Sequence, residues 1–158
     1  MIGTGQMVID SATWDPYPEG AFDLALTYTD GEFATPAAIA RRFRRVLPVT
    51  VLDESGAWHG AKVLDIEHGA ATVAQARQFV ADRATRGWRA GIYCSRDNVA
   101  AVAEACAGLT WRLCLATLDG TIYDSYQGIP VYLCQFANLG TWDLSYLIGD
   151  AGDFFERP

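Results

Sequence analysis

The chain has 158 residues, 51% of them hydrophobic and 20% charged, with a formal net charge of -7. That length suits one domain, residues 1–158, with a sizeable core of its own, and the composition is that of a folded globular chain. The acidic balance excludes an electrostatic nucleic-acid binder and gives no attraction to anionic membranes or to a negatively charged wall polymer.

Taken in chain order, "MVIDSATW" predicts a first strand ending in a polar turn, followed by the Pro-rich "DPYPEG". A second strand, "AFDLALTY", closes on "TDGEF". Residues 35–46 predict a helix with Thr35 as N-cap and Pro36 at its first position. The basic cluster "RRFRR" at 41–45 reads as a solvated face of that helix, with phosphate or partner binding as the alternative. "VLPVTVL" is a third strand and "KVLDIE" a fourth. The segment "TVAQARQFVADRATRG" gives the plainest helix: Thr72 and Gln75 stand at capping-box spacing, Val73, Ala76, Val80 and Ala84 form a stripe, and Gly87 ends it. "WRAGIYCS" returns as a strand, "RDNVAAVAEACAG" is a shorter helix ending at Gly108, and "TWRLCLATL" is another strand. "TIYDSYQ", "VYLCQFA" and "TWDLSYL" follow with little room for helices.

Strand–helix–strand repetition through the middle implies parallel strands joined by right-handed crossovers. Seven or eight strand-like runs fit an α/β fold of the small, trimmed (β/α) TIM-like barrel kind, with helices reduced in the C-terminal third. No run approaches the roughly 18 apolar residues of a membrane-spanning helix. The opening "MIGTGQMVID" lacks a basic region and a long apolar core, so no secretory signal is expected. Cys94, Cys106, Cys114 and Cys134 form no C-x-x-C pair, and three sit in apolar strand-like runs. Buried thiols are the first reading and disulfides the second. His59 and His68 have no partners at metal-ligand spacing, and no metal or cofactor is expected.

The informative feature is "KVLDIE". Side chains alternate along a strand, so Asp65 and Glu67 share a face while Ile66 points the other way. Their Cα atoms stand roughly 7 Å apart. Both fall at the strand's C-terminal end, which in barrels is the face that carries active sites. Asp10, Asp30 and Asp143 occupy comparable strand ends. Crowded, partly buried carboxyls divide into one that keeps its proton and neighbours that stay ionised. Glycosidic cleavage needs that division: an acid on the leaving oxygen and a carboxylate beside an oxocarbenium-like centre. Trp14, Tyr28, Tyr93 and Trp142 lie at the same ends and offer flat surfaces for sugar rings. A D-x-E tripeptide alone is common, and rim acids and core aromatics are the plain alternative.

The motifs in order resemble the glycoside hydrolase family 25 lysozymes and the related glycoside-hydrolase-like domains of actinobacteria and their phages. "IDSATW" resembles the family's I-D-x-S-x-W, with Asp10 and Trp14 at matching spacing. "TYTDG", Thr27 to Gly31, is similar to K-A-T-E-G. "DIE" matches D-x-E, and "GIYCS" matches G-I-Y-T/S. "CQFANLGTWDLS" resembles W-Q-Y followed by D-x-N/S, with Gln135, Phe136 and Asp143 in correspondence. The resemblance spans nearly the whole chain.

It implies that Glu67 is the general acid, that Asp65 stabilises or orients the reacting centre, and that Asp10 and Asp143 line the same pocket. Trp14, Tyr28, Asp30, Tyr93, Gln135 and Trp142 would contact substrate. The implied substrate is the β-1,4 bond between N-acetylmuramic acid and N-acetylglucosamine in peptidoglycan. Whether a second carboxylate, the substrate's acetamido group or an activated water completes the reaction stays open. The chain departs from the pattern at Thr27, Asp30 and Cys134, and it is short between the first four strands and in the final third, which implies a cut-down sugar groove. Two functions follow. One is a muramidase-like hydrolase acting on bacterial cell-wall glycan. The other is a non-catalytic structural or glycan-binding barrel, for example a phage virion component among other virion proteins. A virion or the host cytoplasm is the expected location. "GTGQ" at 3–6 is too short and misplaced for a nucleotide loop.

Overall fold

Burial is near-continuous along most of the apolar runs, as expected of strands packed on both faces, and these runs close into a ring of strands. The computed structural model describes residues 5–11, 13–14, 20–51, 58, 60–67 and 71–149. Strands β1 (Gln6–Asp10), β2 (Leu24–Tyr28), β3 (Arg45–Thr50), β4 (Val63–Asp65), β5 (Ala90–Ser95) and β6 (Trp111–Ala116) pair in sequence, all parallel. β8 (Ile129–Asn138) lies parallel to β6, and β9 (Asp143–Leu147) runs antiparallel between β8 and β1. The result is a closed, mixed, eight-stranded barrel. The two-residue β7 (Ser125–Tyr126) only pairs with the start of β8.

Three apolar layers hold this ring. Its interior packs Val8, Leu24, Leu26, Leu47, Val63, Leu133 and Leu147. Outside β4, β5 and β6, Leu64, Ile92 and Leu113 meet helices α2 (Val73–Thr85) and α3 (Val99–Ala105) through Ala76, Phe79, Val80 and Val102. A third cluster of Ile9, Trp14, Ala25 and Phe43 covers the outside of β1 and β2. α2 has the expected capping box, with the Gln75 N–H donating to Thr72 Oγ1 and the Thr72 N–H donating to Gln75 Oε1. Gly87 (φ 68°) and Gly108 (φ 79°) follow the ends of the two helices.

The chain is strand-dominated, and the reduction of helices begins earlier than the sequence suggests. The helix expected over 35–46 is one turn, α1 (Ala37–Ala40). Pro36 holds its N-cap position, while the Thr35 hydroxyl accepts from the Tyr28 N–H at 3.0 Å. The chain must reach Arg45 in register with Leu24, so 41–44 turn instead of coiling, and Phe43 is drawn into the outer cluster. "RRFRR" therefore lies on a turn and a strand start rather than on a helix face. "KVLDIE" pairs only over Val63–Asp65, which leaves Glu67 just past the strand, and "TIYDSYQ" shrinks to β7. All four cysteines are free and buried, as thiols in apolar runs are expected to be. His59 and His68 lie outside the described residues. No helix among the described residues is long and apolar enough to cross a membrane.

Candidate active site

Because seven strands, β1–β6 and β8, run the same way, their C-terminal ends gather at one mouth, and antiparallel β9 contributes its N-terminal end there. Asp10 ends β1 and pairs directly with Asp143, the first residue of β9. Asp65 ends β4, beside Tyr93 of β5. Asp10 and Asp65 are 4% and 5% exposed, while Glu67 and Asp143 are half-buried. The four acids repel one another across the mouth: Asp10 feels Asp143, Asp65 and Glu67, and Glu67 feels Asp65 and Asp143.

Local hydrogen bonds fix the D-x-E. The Glu67 N–H donates to Asp65 Oδ1 at 2.8 Å, so the chain turns immediately after β4. The Tyr28 hydroxyl leans on Asp65 Oδ2 at 3.4 Å. Burial pushes Asp65 up to about 6, against the pull of those two donors, which favour its ionised form. Glu67 rises to about 7, first through burial and then through Asp65 and Asp143. Asp10 is raised well above the carboxylate range by burial, reinforced by its three acidic neighbours. Asp143 is also raised by burial, moderated by hydrogen bonds from Asn138 and Asp10. The contact between Asp10 and Asp143 favours the proton on Asp10. Tyr28 and Tyr93 are driven upward by burial and by the same acids, so both stay neutral phenols. At neutral pH the mouth therefore holds protonated and ionised carboxyls side by side.

The structure brings Asp10, Asp65, Glu67, Asp143, Tyr28 and Tyr93 together. Gln135 sits buried on β8, level with Ser145 of β9 and Ala116 of β6. Asp30 serves differently: its carboxylate accepts from the Thr50 hydroxyl and, at 2.8 Å, from the Val51 N–H, tying the end of β2 to the end of β3. Gly31 beside it (φ 74°) faces Val51 Cγ2 so closely that a Cβ would stand 2.4 Å away. Trp14 is 5% exposed and packs edge-on against Phe43 and Trp142, with ring centroids 5.6 and 5.8 Å apart. It belongs to the outer layer, and Trp142 packs with it. Trp14 takes a left-handed φ of 57°, supported by Ser11 Oγ, which accepts the Trp14 and Thr13 N–H groups and donates to the Thr141 carbonyl.

Two features escape a sequence reading. Ser11 fastens the loop after β1 to the β8–β9 turn, but a serine after a strand carries no distinctive signal. On the rim, Arg96 donates to Asp119 and Tyr123, and Tyr123 donates to Asp119 at 3.1 Å. The Thr121 N–H and then Arg96 and Tyr123 hold Asp119 down to about 2. Those partners lie in separate loops, after β5 and after β6, so only the barrel register unites them. Among the described residues no group of three His, Cys, Asp or Glu side chains is arranged to hold a metal ion. No protein-family model, no curated protein and no solved structure matches this chain, so the site is read from its own geometry.

Proposed function

We propose that the chain is a small muramidase-like glycoside hydrolase on a trimmed TIM-like barrel, cleaving the bond between N-acetylmuramic acid and N-acetylglucosamine in bacterial cell-wall glycan. One observation carries the reading: an inward pair, Asp65 and Glu67, at a mouth shared with Asp10 and Asp143, with Glu67 raised to about 7 and Asp65 to about 6. Glu67 keeps its proton up to neutrality and gives it to the glycosidic oxygen as the bond breaks. Asp65, the first of the pair to ionise, stands beside the positive charge that grows on the sugar ring. The Tyr28 hydroxyl and the Glu67 N–H keep its carboxylate aimed. Asp143 adds negative field at the same mouth and, with burial and Asp65, holds Glu67 in its protonated form, while Asp10 keeps its own proton.

The glycoside hydrolase family 25 resemblance of the strand-end motifs supports the same assignment of roles. The test is release of reducing sugar from purified peptidoglycan. Wild-type protein generates new reducing ends and Glu67→Gln does not, although both fold alike. Equal release by the variant would remove Glu67 from the mechanism, and no release by the wild type would sink the hydrolase.

A second reading, a glycan-binding or structural barrel such as a virion component, is favoured by one observation. Trp14 and Tyr93 are buried in packing rather than laid open for sugar rings. It predicts retention on insoluble wall glycan without turnover.

A further inference from the structure

Beneath the Asp10–Asp143 pair lies a hydroxyl to which the proposed reaction gives no role, that of Ser145, the last residue of the D-x-N/S motif. Ser145 is on β9, two residues past Asp143 and on the same inward face. It pairs with Val8 of β1 and with Gln135 of β8, one layer deeper than the acids. Its exposure is 0%, and its Oγ has no hydrogen-bond partner. Asp10 Oδ2 and Asp143 Oδ1 are likewise buried and unpartnered. Three orphaned oxygens in one corner of a barrel are unusual, because a buried polar atom without a partner is destabilising.

Asp10 and Asp143 touch each other, and the spacing explains why the Ser145 hydroxyl satisfies neither of them directly. Asp143 and Ser145 are separated by roughly 7 Å along the strand, and Asp10 lies on the diagonal, roughly 7–8 Å from Ser145. These are Cα separations, and the side chains reach from them into the barrel, where one bridging oxygen with hydrogen bonds of about 2.8 Å joins atoms up to about 5.6 Å apart. We infer that Ser145 is a positioning residue whose hydroxyl, with Asp10 Oδ2 and Asp143 Oδ1, seats one water molecule on the floor of the mouth. The seat offers the two to four polar partners that a buried water needs. The water donates to the Asp143 carboxylate and accepts from or donates to Ser145, so the pair shares its proton in a fixed geometry.

The remaining groups that face this corner are Tyr28 on β2, Asp65 and Glu67 at β4, Tyr93 on β5, Cys114 and the deeper Arg112 on β6, and neutral Gln135 on β8. Arg112 stacks on Tyr132, its Cζ 4.8 Å from the ring centroid. The seat goes beyond the hydrolytic proposal and does not require turnover, so its test is independent of that reading.

The experiment follows the aspartate carboxyl carbons by NMR across a pH titration in wild-type protein, Ser145→Ala and Ser145→Thr, with thermal melts to show that each folds. Without the hydroxyl the bridging donor is lost, and the first ionisation of the Asp10–Asp143 pair moves upward by roughly half a pH unit or more. Ser145→Thr, which keeps the hydroxyl, returns the midpoint to the wild-type value. An unchanged midpoint in Ser145→Ala would overturn the seat. So would an equal shift in both variants, which would assign the effect to packing. A protein that shows the shift yet releases no reducing sugar would lose the hydrolase and keep the seat.

Discussion

The charged cluster on α2 and the acid cluster at the barrel mouth make a useful pair. On α2, Asp82 meets Arg83 at 2.5 Å and Arg86 at 3.2 Å, so opposite charges are matched. Arg83 is almost fully buried, yet it lies between the Phe79 and Trp88 rings, 5.3 and 5.1 Å from their centroids, and donates to the Ala61 carbonyl. Burial nudges Asp82 upward, but hydrogen bonds from the two arginines outweigh it and lower its pKa. At the mouth the signs are all alike, no cation joins Asp10's shift or Glu67's, and both are raised. A cluster assembled for stability neutralises itself. One that gathers like charges in a buried corner forgoes stability, and such arrangements are typical of sites that do chemistry.

That contrast can be broken in four ways, and the largest effect belongs to Glu67. Glu67→Gln lowers wall-glycan cleavage by roughly 100- to 10,000-fold, the span of a general acid's contribution, with the melting temperature held or raised. Initial rates of reducing-end release beside a thermal melt check both halves.

Tyr28→Phe comes next. It removes a donor that favours ionised Asp65, so the acidic limb of the pH–rate profile moves to higher pH and the rate falls about 10-fold. A profile that keeps its acidic limb would separate Tyr28 from Asp65.

The third effect is on stability. Asp65 and Glu67 are raised from 3.8 and 4.5 to about 6 and about 7, so the folded state holds protons that the unfolded chain releases. Their contribution is therefore most favourable at low pH and is lost as pH rises through 6 and 7. Melting temperatures recorded from pH 5 to pH 8 fall for the wild type and fall less for Glu67→Gln. Parallel curves would mean that Glu67 titrates normally.

The smallest effect falls on α2. Arg86→Ala removes an exposed partner of Asp82 and changes stability by less than about 0.5 kcal/mol, measurable by urea denaturation. A loss of several kcal/mol there would show that the α2 cluster is as finely poised as the mouth.

The sequence made the strands and the acids legible for a physical reason. Alternation along "KVLDIE" put Asp65 and Glu67 on one face, and the inward aspect of that face needs only a buried Ile66 on the other. The Thr72–Gln75 box announced α2 because capping is decided by neighbours three residues apart. What stayed hidden depends on distant partners. The 35–46 segment has helical residues, but register with β2 draws 45–50 into a strand and leaves one turn. Trp14 stands at a strand end like a sugar platform, yet Phe43 and Trp142 claim its faces. Asp30 looks like a rim acid until Thr50 and Val51, twenty residues on, are seen to hold it. Ser145 stands in the D-x-N/S motif, but its place beneath Asp10 is set only by the pairing of β9 with β1.

The most direct test of the acid-cluster account is the ionisation of Glu67 itself, read from its side-chain carboxyl carbon by NMR in the intact chain. The account predicts a midpoint near 7 that drops when Asp65 is replaced by asparagine, because burial and that neighbour hold the proton in place. A midpoint at the ordinary glutamate value of 4.5, unmoved by the replacement, would contradict it.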